Sequence, residues 1–271
     1  MKIVLFDYYL DEWHANNYQR FFDLLKQDIH ITGAYALIDA PDGLTNEEWA
    51  RKQGVKLFDD PFCAAKDCDG IMVLSPDNPE QHKKLCEAAF SCGKPVYIDK
   101  PFSLSRAEAE EIFAMADKAG ISCFSSSALR YAAELQTFAE EGKITRIASQ
   151  GLGKVDLYAV HQLENIVHLF GCKALNVTMT EKGKYEIAFE TGIATLDFNA
   201  DDFSLTVFSG EKIYEFPRLT SYFEILSGKV AEFFRTKKAP VDRKETIRIA
   251  AVTEAMLLCK NIGDTVNVGE N

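Results

Sequence analysis

No glycine precedes Gly33. The apolar opening segment, residues 2–6, therefore runs toward its first helix without the small residues that let a backbone turn tightly or lie against a phosphate. Long apolar runs are missing as well: none approaches the roughly 20 residues of a membrane-spanning helix. Positive charge is scarce, with 30 Lys and Arg against 41 Asp and Glu and a formal net charge of −11. That balance argues against binding nucleic acid through phosphate neutralisation and against attachment to anionic membranes. It leaves room for a small anionic ligand, because local fields can oppose net charge. The amino terminus reads as a strand and lacks the anatomy of a signal peptide. Seven cysteines (Cys63, Cys68, Cys86, Cys92, Cys123, Cys172 and Cys259) include no CxxC pair. Neither a disulfide framework nor a zinc or other metal site is expected, and the setting reads as a reduced cytoplasm.

What is present is a regular alternation. The 271 residues, 47% hydrophobic, suit one large domain or two smaller ones. Strands are expected at 2–6, 31–38, 55–58, 71–74, 96–98 and 121–124, with helices at 12–26, 45–53, 79–92 and 105–118. Thr45 and Glu48 have capping-box spacing. Short apolar strands alternating with helices imply a doubly wound parallel sheet, placed at residues 1–122. The pattern then changes. Helices at 128–141 and 157–170 flank a strand at 144–150. Strands at 174–180, 185–190, 193–198, 204–208 and 212–216 follow in hairpin order, and helices at 219–236 and 243–261 finish the chain. Residues 123–271 thus read as a second α/β domain on an open, mainly antiparallel sheet.

The most informative local feature is Asp99-Lys100-Pro101, directly after the strand Val96–Ile98. Proline cannot continue a strand and keeps the preceding residue out of helical geometry. Lys100 is thereby held at the carboxyl end of a strand, where open α/β sheets place their ligands. A lysine there can donate a proton or hold an oxyanion; a solvated turn lysine is the plainer alternative. Asp39, read as ending the second strand, suits the ribose hydroxyls of NAD and disfavours a 2′-phosphate, although acids are also common turn residues.

Gly70-Ile71-Met72-Val73-Leu74-Ser75-Pro76, the later His82, and Gly93 through Pro101 follow one another as the landmarks of a known family. With them, and with Ser126-Ser127-Ala128-Leu129-Arg130-Tyr131, the chain resembles the Gfo/Idh/MocA oxidoreductases over nearly its whole length. The resemblance implies a Rossmann domain, a substrate domain, a nicotinamide cofactor and hydride transfer at a carbinol of a sugar-like or cyclitol-like small molecule. Ser75, Pro76, Asp99, Lys100 and Pro101 would then line the cofactor side. His161 matches the family's catalytic histidine, a proton acceptor for a substrate hydroxyl, with Lys100 acting on the reacting oxygen. Arg130, Tyr158 and Glu164 would line the substrate. The acid often found four residues before that histidine is Leu157 here, and Asp156 stands one residue off. A homo-oligomer through the carboxy-terminal sheet is also implied.

The departure is the first loop. Aligned without gaps, the positions of a Gly-x-Gly-x-x-Gly loop hold Asp7, Tyr9 and Glu12. Asp7, Asp11 and Glu12 put up to three carboxylates where an anion should bind, and like charges about 5 Å apart repel by roughly 1–3 kcal/mol. If a nicotinamide cofactor binds, NAD is favoured over NADP. The rival reading is a catalytically silent relative, a binding or scaffold protein without a dinucleotide, with Tyr8 or Tyr9 filling the pyrophosphate position.

Overall fold

The computed structural model describes residues 1–138 and 142–269. The chain divides into two compact units. The first comprises Met1–Ser103, Ala107–Ser126 and Leu226–Asp242; the second comprises Leu104–Arg106, Ser127–Ile225 and Arg243–Asn271. The division expected after residue 122 falls after Ser126, and a late stretch of chain returns to the first unit.

In the first unit, β1 (Lys2–Asp7), β2 (His30–Ala36), β3 (Lys56–Leu57), β4 (Gly70–Val73), β5 (Val96–Ile98) and β6 (Cys123–Ser125) form one parallel sheet, in the order β3-β2-β1-β4-β5-β6. Every residue of β4 and β5 is buried, as expected of a sheet covered on both faces. The strand order reverses between β1 and β4, which makes their carboxyl ends the crevice of a doubly wound sheet. The connecting helices are α1 (Trp13–Leu24), α2 (Asn46–Gln53), α3 (Pro61–Ala65), α4 (His82–Ser91) and α5 (Arg106–Ala119). The expected capping box starts α2: Thr45 Oγ1 accepts from the Glu48 N–H at 3.2 Å, and Glu48 Oε2 accepts from the Thr45 N–H at 3.0 Å. The short α3 escaped the sequence reading, although Asp60 caps it and Pro61 opens it.

The second unit carries β7 (Ile144–Gln150), β8 (Ala174–Glu181), β9 (Lys184–Phe189), β10 (Ile193–Asp197), β11 (Ser204–Ser209), β12 (Lys212–Phe216) and β13 (Thr265–Asn267). Their order is β12-β11-β7-β10-β9-β8-β13. β7 is inserted between β10 and β11 and runs parallel to β10, so the expected meander is a mixed, mainly antiparallel sheet. Two long helices, α7 (Val155–Phe170) and α9 (Arg243–Leu258), share a core with the inward residues of that sheet, among them Ile147, Ile187, Leu196, Val207, Leu163 and Val252.

The helix expected over 128–141 is broken. Ala128–Tyr131 is a tight 3-10 turn, Ala132 is extended with ψ 135°, and α6 spans only Ala133–Gln136; positions 139–141 lie outside the described residues. Ser127 Oγ caps the turn by accepting from the Leu129 N–H at 3.2 Å, a local alternative to helical pairing. The helix α8 (Tyr222–Thr236) completes the set. Among the described residues no helix is long and apolar enough to cross a membrane.

Candidate active site

The loop between β1 and α1 is tightly built despite having no glycine. Asp7 ends β1 at 1% exposure. Its Oδ1 accepts from the Tyr8 N–H at 2.7 Å, while Oδ2 has no hydrogen-bond partner. The buried Leu10 donates its N–H to Asn46 Oδ1 at 3.0 Å, and Asn46 Nδ2 donates to the Ile38 carbonyl at 2.6 Å. Asp11 turns aside to accept from the Leu44 N–H at 2.8 Å and from Asn16 Nδ2 at 3.0 Å. Gly43 lies so close to that carboxylate, at φ +128°, that a Cβ there would strike it.

Glu12 is the N-cap of α1. Its half-buried carboxylate accepts from the His14 N–H at 2.6 Å and from the Ala15 N–H. These amides are what a helix offers an incoming anion. Burial and then the neighbouring Glu12 push the Asp7 carboxyl well above its usual range. Burial lifts Glu12 to about 7, against the pull of His14 and of the two backbone N–H groups.

Asp99 and Lys100 follow β5 at 1% and 6% exposure, and a cis peptide joins Lys100 to the buried Pro101. Asp99 Oδ2 meets His14 Nδ1. Its Oδ1 accepts from the Lys100 N–H at 2.8 Å and from the Tyr97 hydroxyl at 3.3 Å, and the Tyr18 hydroxyl donates to that of Tyr97 at 3.1 Å. Burial would raise the Asp99 carboxyl, but His14 and then Lys100 outweigh it and hold the group below its ordinary range. Nearby, buried Ser75 takes a φ of 69°, rare for a residue with a side chain, and donates from Oγ to the Asn78 carbonyl at 3.1 Å; Pro76 beside it is also buried. His82 lies between the carbonyls of Leu74 (Nε2, 2.6 Å) and Phe102 (Nδ1, 3.1 Å), so the loops after β4 and β5 are tied to one imidazole.

Asp39 does not end β2, which stops at Ala36. It is exposed, and its Oδ1 accepts from the Asn46 N–H at 2.7 Å. At least half of that carboxylate is engaged in fixing the turn.

In the second unit, His161 lies half-buried on α7. Its Nδ1 is 2.6 Å from Ser127 Oγ, and the rings of Tyr158 and Phe203 each lie 5.4 Å from its own, centroid to centroid. Asp156 serves the first turn of the helix, accepting from the Leu157 N–H at 3.0 Å. Glu164, 2% exposed, accepts from the Ser127 N–H at 2.9 Å and from Arg130 Nε at 2.5 Å. Arg130 also donates to Glu245, and its Nη1 lies 3.0 Å from His168 Nδ1. Burial alone would lower the Arg130 pKa, but Glu164 and Glu245 raise it above even its usual high value. Arg130 and Glu164, the expected substrate contacts, are bonded to each other within the unit.

Two residues joined to this chemistry were not singled out from sequence. His14 bonds an aspartate 85 positions away, and Ser127 bonds a histidine 34 positions away. No spacing rule reaches that far. The available signals were a histidine in the first turn of α1 and a serine inside the Ser-Ser-Ala-Leu-Arg stretch.

The loop as folded does not fit a dinucleotide's pyrophosphate. The N–H groups of His14 and Ala15 already hold Glu12, and Asp7 adds a second carboxylate with an unsatisfied oxygen. The helix amino terminus is taken by the Glu12 carboxylate, rather than by Tyr8 or Tyr9.

Residues 10–127 match the model of an oxidoreductase family with an NAD-binding Rossmann fold, GFO_IDH_MocA. Among solved structures, an apo scyllo-inositol dehydrogenase from Lactobacillus casei aligns at TM-score 0.74 and 15% identity, covering 98% of each chain. An oxidoreductase from Agrobacterium radiobacter in complex with NAD+, L-tartaric acid and magnesium aligns at TM-score 0.75 and 13% identity, again over 98% of each chain. Biliverdin reductase from Synechocystis sp. PCC 6803, in complex with biliverdin and NADP+, aligns at TM-score 0.63 and 14% identity over 93% of this chain and 96% of that one. At such identities the likeness speaks for the fold. No curated protein matches the sequence.

Proposed function

We propose, from the match of residues 10–127 to the Gfo/Idh/MocA family of oxidoreductases with an NAD-binding Rossmann fold, that this chain is an NAD(P)-dependent oxidoreductase acting on a carbinol of a sugar-like or cyclitol-like molecule. The observation that carries this reading is Lys100, a nearly buried lysine at the carboxyl end of β5, beside an aspartate held in its charged form. Its ammonium would stabilise or protonate the reacting oxygen. His161 would handle the hydroxyl proton, since imidazole titrates near neutrality. Glu164 and Arg130 then act as positioning residues: Glu164 holds the Ser127 backbone, and the Ser127 hydroxyl orients His161. Tyr158 remains a candidate substrate contact. On the cofactor side the reading keeps Asp39, Ser75, Pro76, Asp99 and Pro101, with Asp39 favouring NAD over NADP. A cytoplasmic setting and a homo-oligomer built through the seven-stranded sheet belong to the same proposal. Titration calorimetry with NAD, NADH, NADP and NADPH at millimolar concentration tests it. Silence with all four, in the native protein and after Glu12 is replaced, ends it.

The first loop favours a second reading, a relative that kept the fold and a small-ligand site but catalyses nothing. Its mark would be thermal stabilisation by a sugar or an organic acid with no response to any nicotinamide cofactor.

A further inference from the structure

We propose that Glu12 is a built-in anion occupying the phosphate position of this Rossmann fold, so that a diphosphate group gains the amino terminus of α1 only when the Glu12 carboxylate leaves it. The inference rests on the reading of β1 and α1 as a dinucleotide-binding unit. A side chain at the third glycine position of such a loop would ordinarily be an obstruction to be tolerated. Here it does chemical duty. Glu12 folds back over the start of the helix and accepts from two successive N–H groups, those of His14 and Ala15. A bound phosphate would seek the same donors, in the field of the same helix dipole.

The surroundings point the same way. Asp7, 1% exposed, keeps Oδ2 without a hydrogen-bond partner, and the charge of Glu12 acts directly on it. A phosphate arriving beside the present loop would therefore meet two acidic side chains and no free amide at His14 or Ala15. Asp11, the third acid of the loop, is committed to Leu44 and Asn16 and takes no part. The His14 ring also lies in the cluster, bonded to Asp99. Removing the Glu12 carboxylate exposes the two N–H groups and takes away the nearest like charge in one step.

The test compares the native protein with Glu12→Ser, which keeps a short capping oxygen, and Glu12→Gln, which keeps the side-chain length without the charge. Inorganic pyrophosphate and NADH are the probes, read by calorimetry and by the shift in melting temperature. Pyrophosphate binding at least tenfold tighter in a folded variant than in the native protein, with stabilisation confined to the variant, is the expected result. Equal responses overturn the proposal, whether all the proteins bind or none does. Should Glu12→Ser fail to fold, Glu12→Gln carries the comparison. A variant that gains pyrophosphate while no protein takes NADH upholds the assignment of Glu12 and removes the cofactor-dependent reading of the function.

Discussion

The imidazole of His14 is joined through Nδ1 to Oδ2 of Asp99, across 85 positions of sequence. This one contact ties the first turn of α1 to the strand end that carries Lys100. Both partners are buried, at 8% and 1% exposure, so neither can exchange the other for water. His14→Ala should cost about 1–3 kcal/mol by leaving a buried carboxylate short of a donor. Thermal melts would show a lower transition temperature, and an unchanged melt would mean that Asp99 is satisfied without His14.

Stability should fall as pH rises through the neutral range. Glu12 has an ordinary value of 4.5 and a folded value of about 7. A raised folded value means that its contribution is complete below about 4.5 and lost as pH climbs through about 7. Asp7 shifts the same way, whereas Asp99 is lowered, so its contribution is present above 3.8 and lost only in more acid solution. The Glu12 effect should be on the order of 2 kcal/mol after solvent screening of a half-buried group. Urea midpoints for native protein and Glu12→Gln at about pH 5 and about pH 7.5 would measure it, the variant having the shallower slope. Parallel slopes would refute the assignment.

For the proposed reaction, Lys100→Ala should lower kcat by roughly 10²–10⁴-fold, the span of general acid–base assistance, with Lys100→Arg recovering part of it. Turnover that survives Lys100→Ala would move the chemistry elsewhere.

Ser127→Ala should displace the acid limb of the pH–rate profile, because it removes the group hydrogen-bonded to His161 Nδ1. A change in KM alone, with the profile fixed, would count against a positioning role. Glu164→Ala should be far more damaging to the fold, by about 3–5 kcal/mol, since it strips one carboxylate from a buried guanidinium.

Self-association through the seven-stranded sheet predicts a dimer or larger species in sedimentation velocity at micromolar protein. The less buried residues of β9, β10 and β11 include Lys184, Glu186, Thr195, Asp197, Thr206 and Phe208, with the Arg146 guanidinium 4.6 Å from the Phe208 ring centre. Such a face would associate through polar contacts as much as apolar ones, so a raised salt concentration should weaken the oligomer. A monomer at every concentration would remove this part of the proposal.

The sequence was most legible where local chemistry decides the structure. The Thr45–Glu48 capping box, the apolar strands β4 and β5, and the Gly171 end of α7 all follow from residues within one or two turns of each other. It was least legible where distant groups decide. Nothing local orders β7 between β10 and β11, or draws β13 against β8. The broken helix after Ser127 has the same origin: Leu129 and Arg130 answer to a serine hydroxyl and to two glutamates, one of them 115 positions away. At the candidate site, the acidic character of the first loop was plain from composition. Which acid would hold the helix, and which would turn to Leu44, depended on geometry that composition does not carry.

Residues Leu226–Asp242 belong to the first unit, where the Phe233 ring stands edge-on to Phe124 at 4.8 Å and Phe234 lies over Gly70, a position with no space for a side chain. On the ribosome this segment is made long after Ser126. At about 5–20 residues per second, the interval is on the order of ten seconds. During that time β4 and β6 lack two of their aromatic neighbours, while six of the seven strands of the second-unit sheet, β7 to β12, are being synthesised. The unit that is begun first can be finished only near the end, so a nascent chain stalled before residue 226 should present an apolar surface to chaperones and proteases that the completed protein never shows.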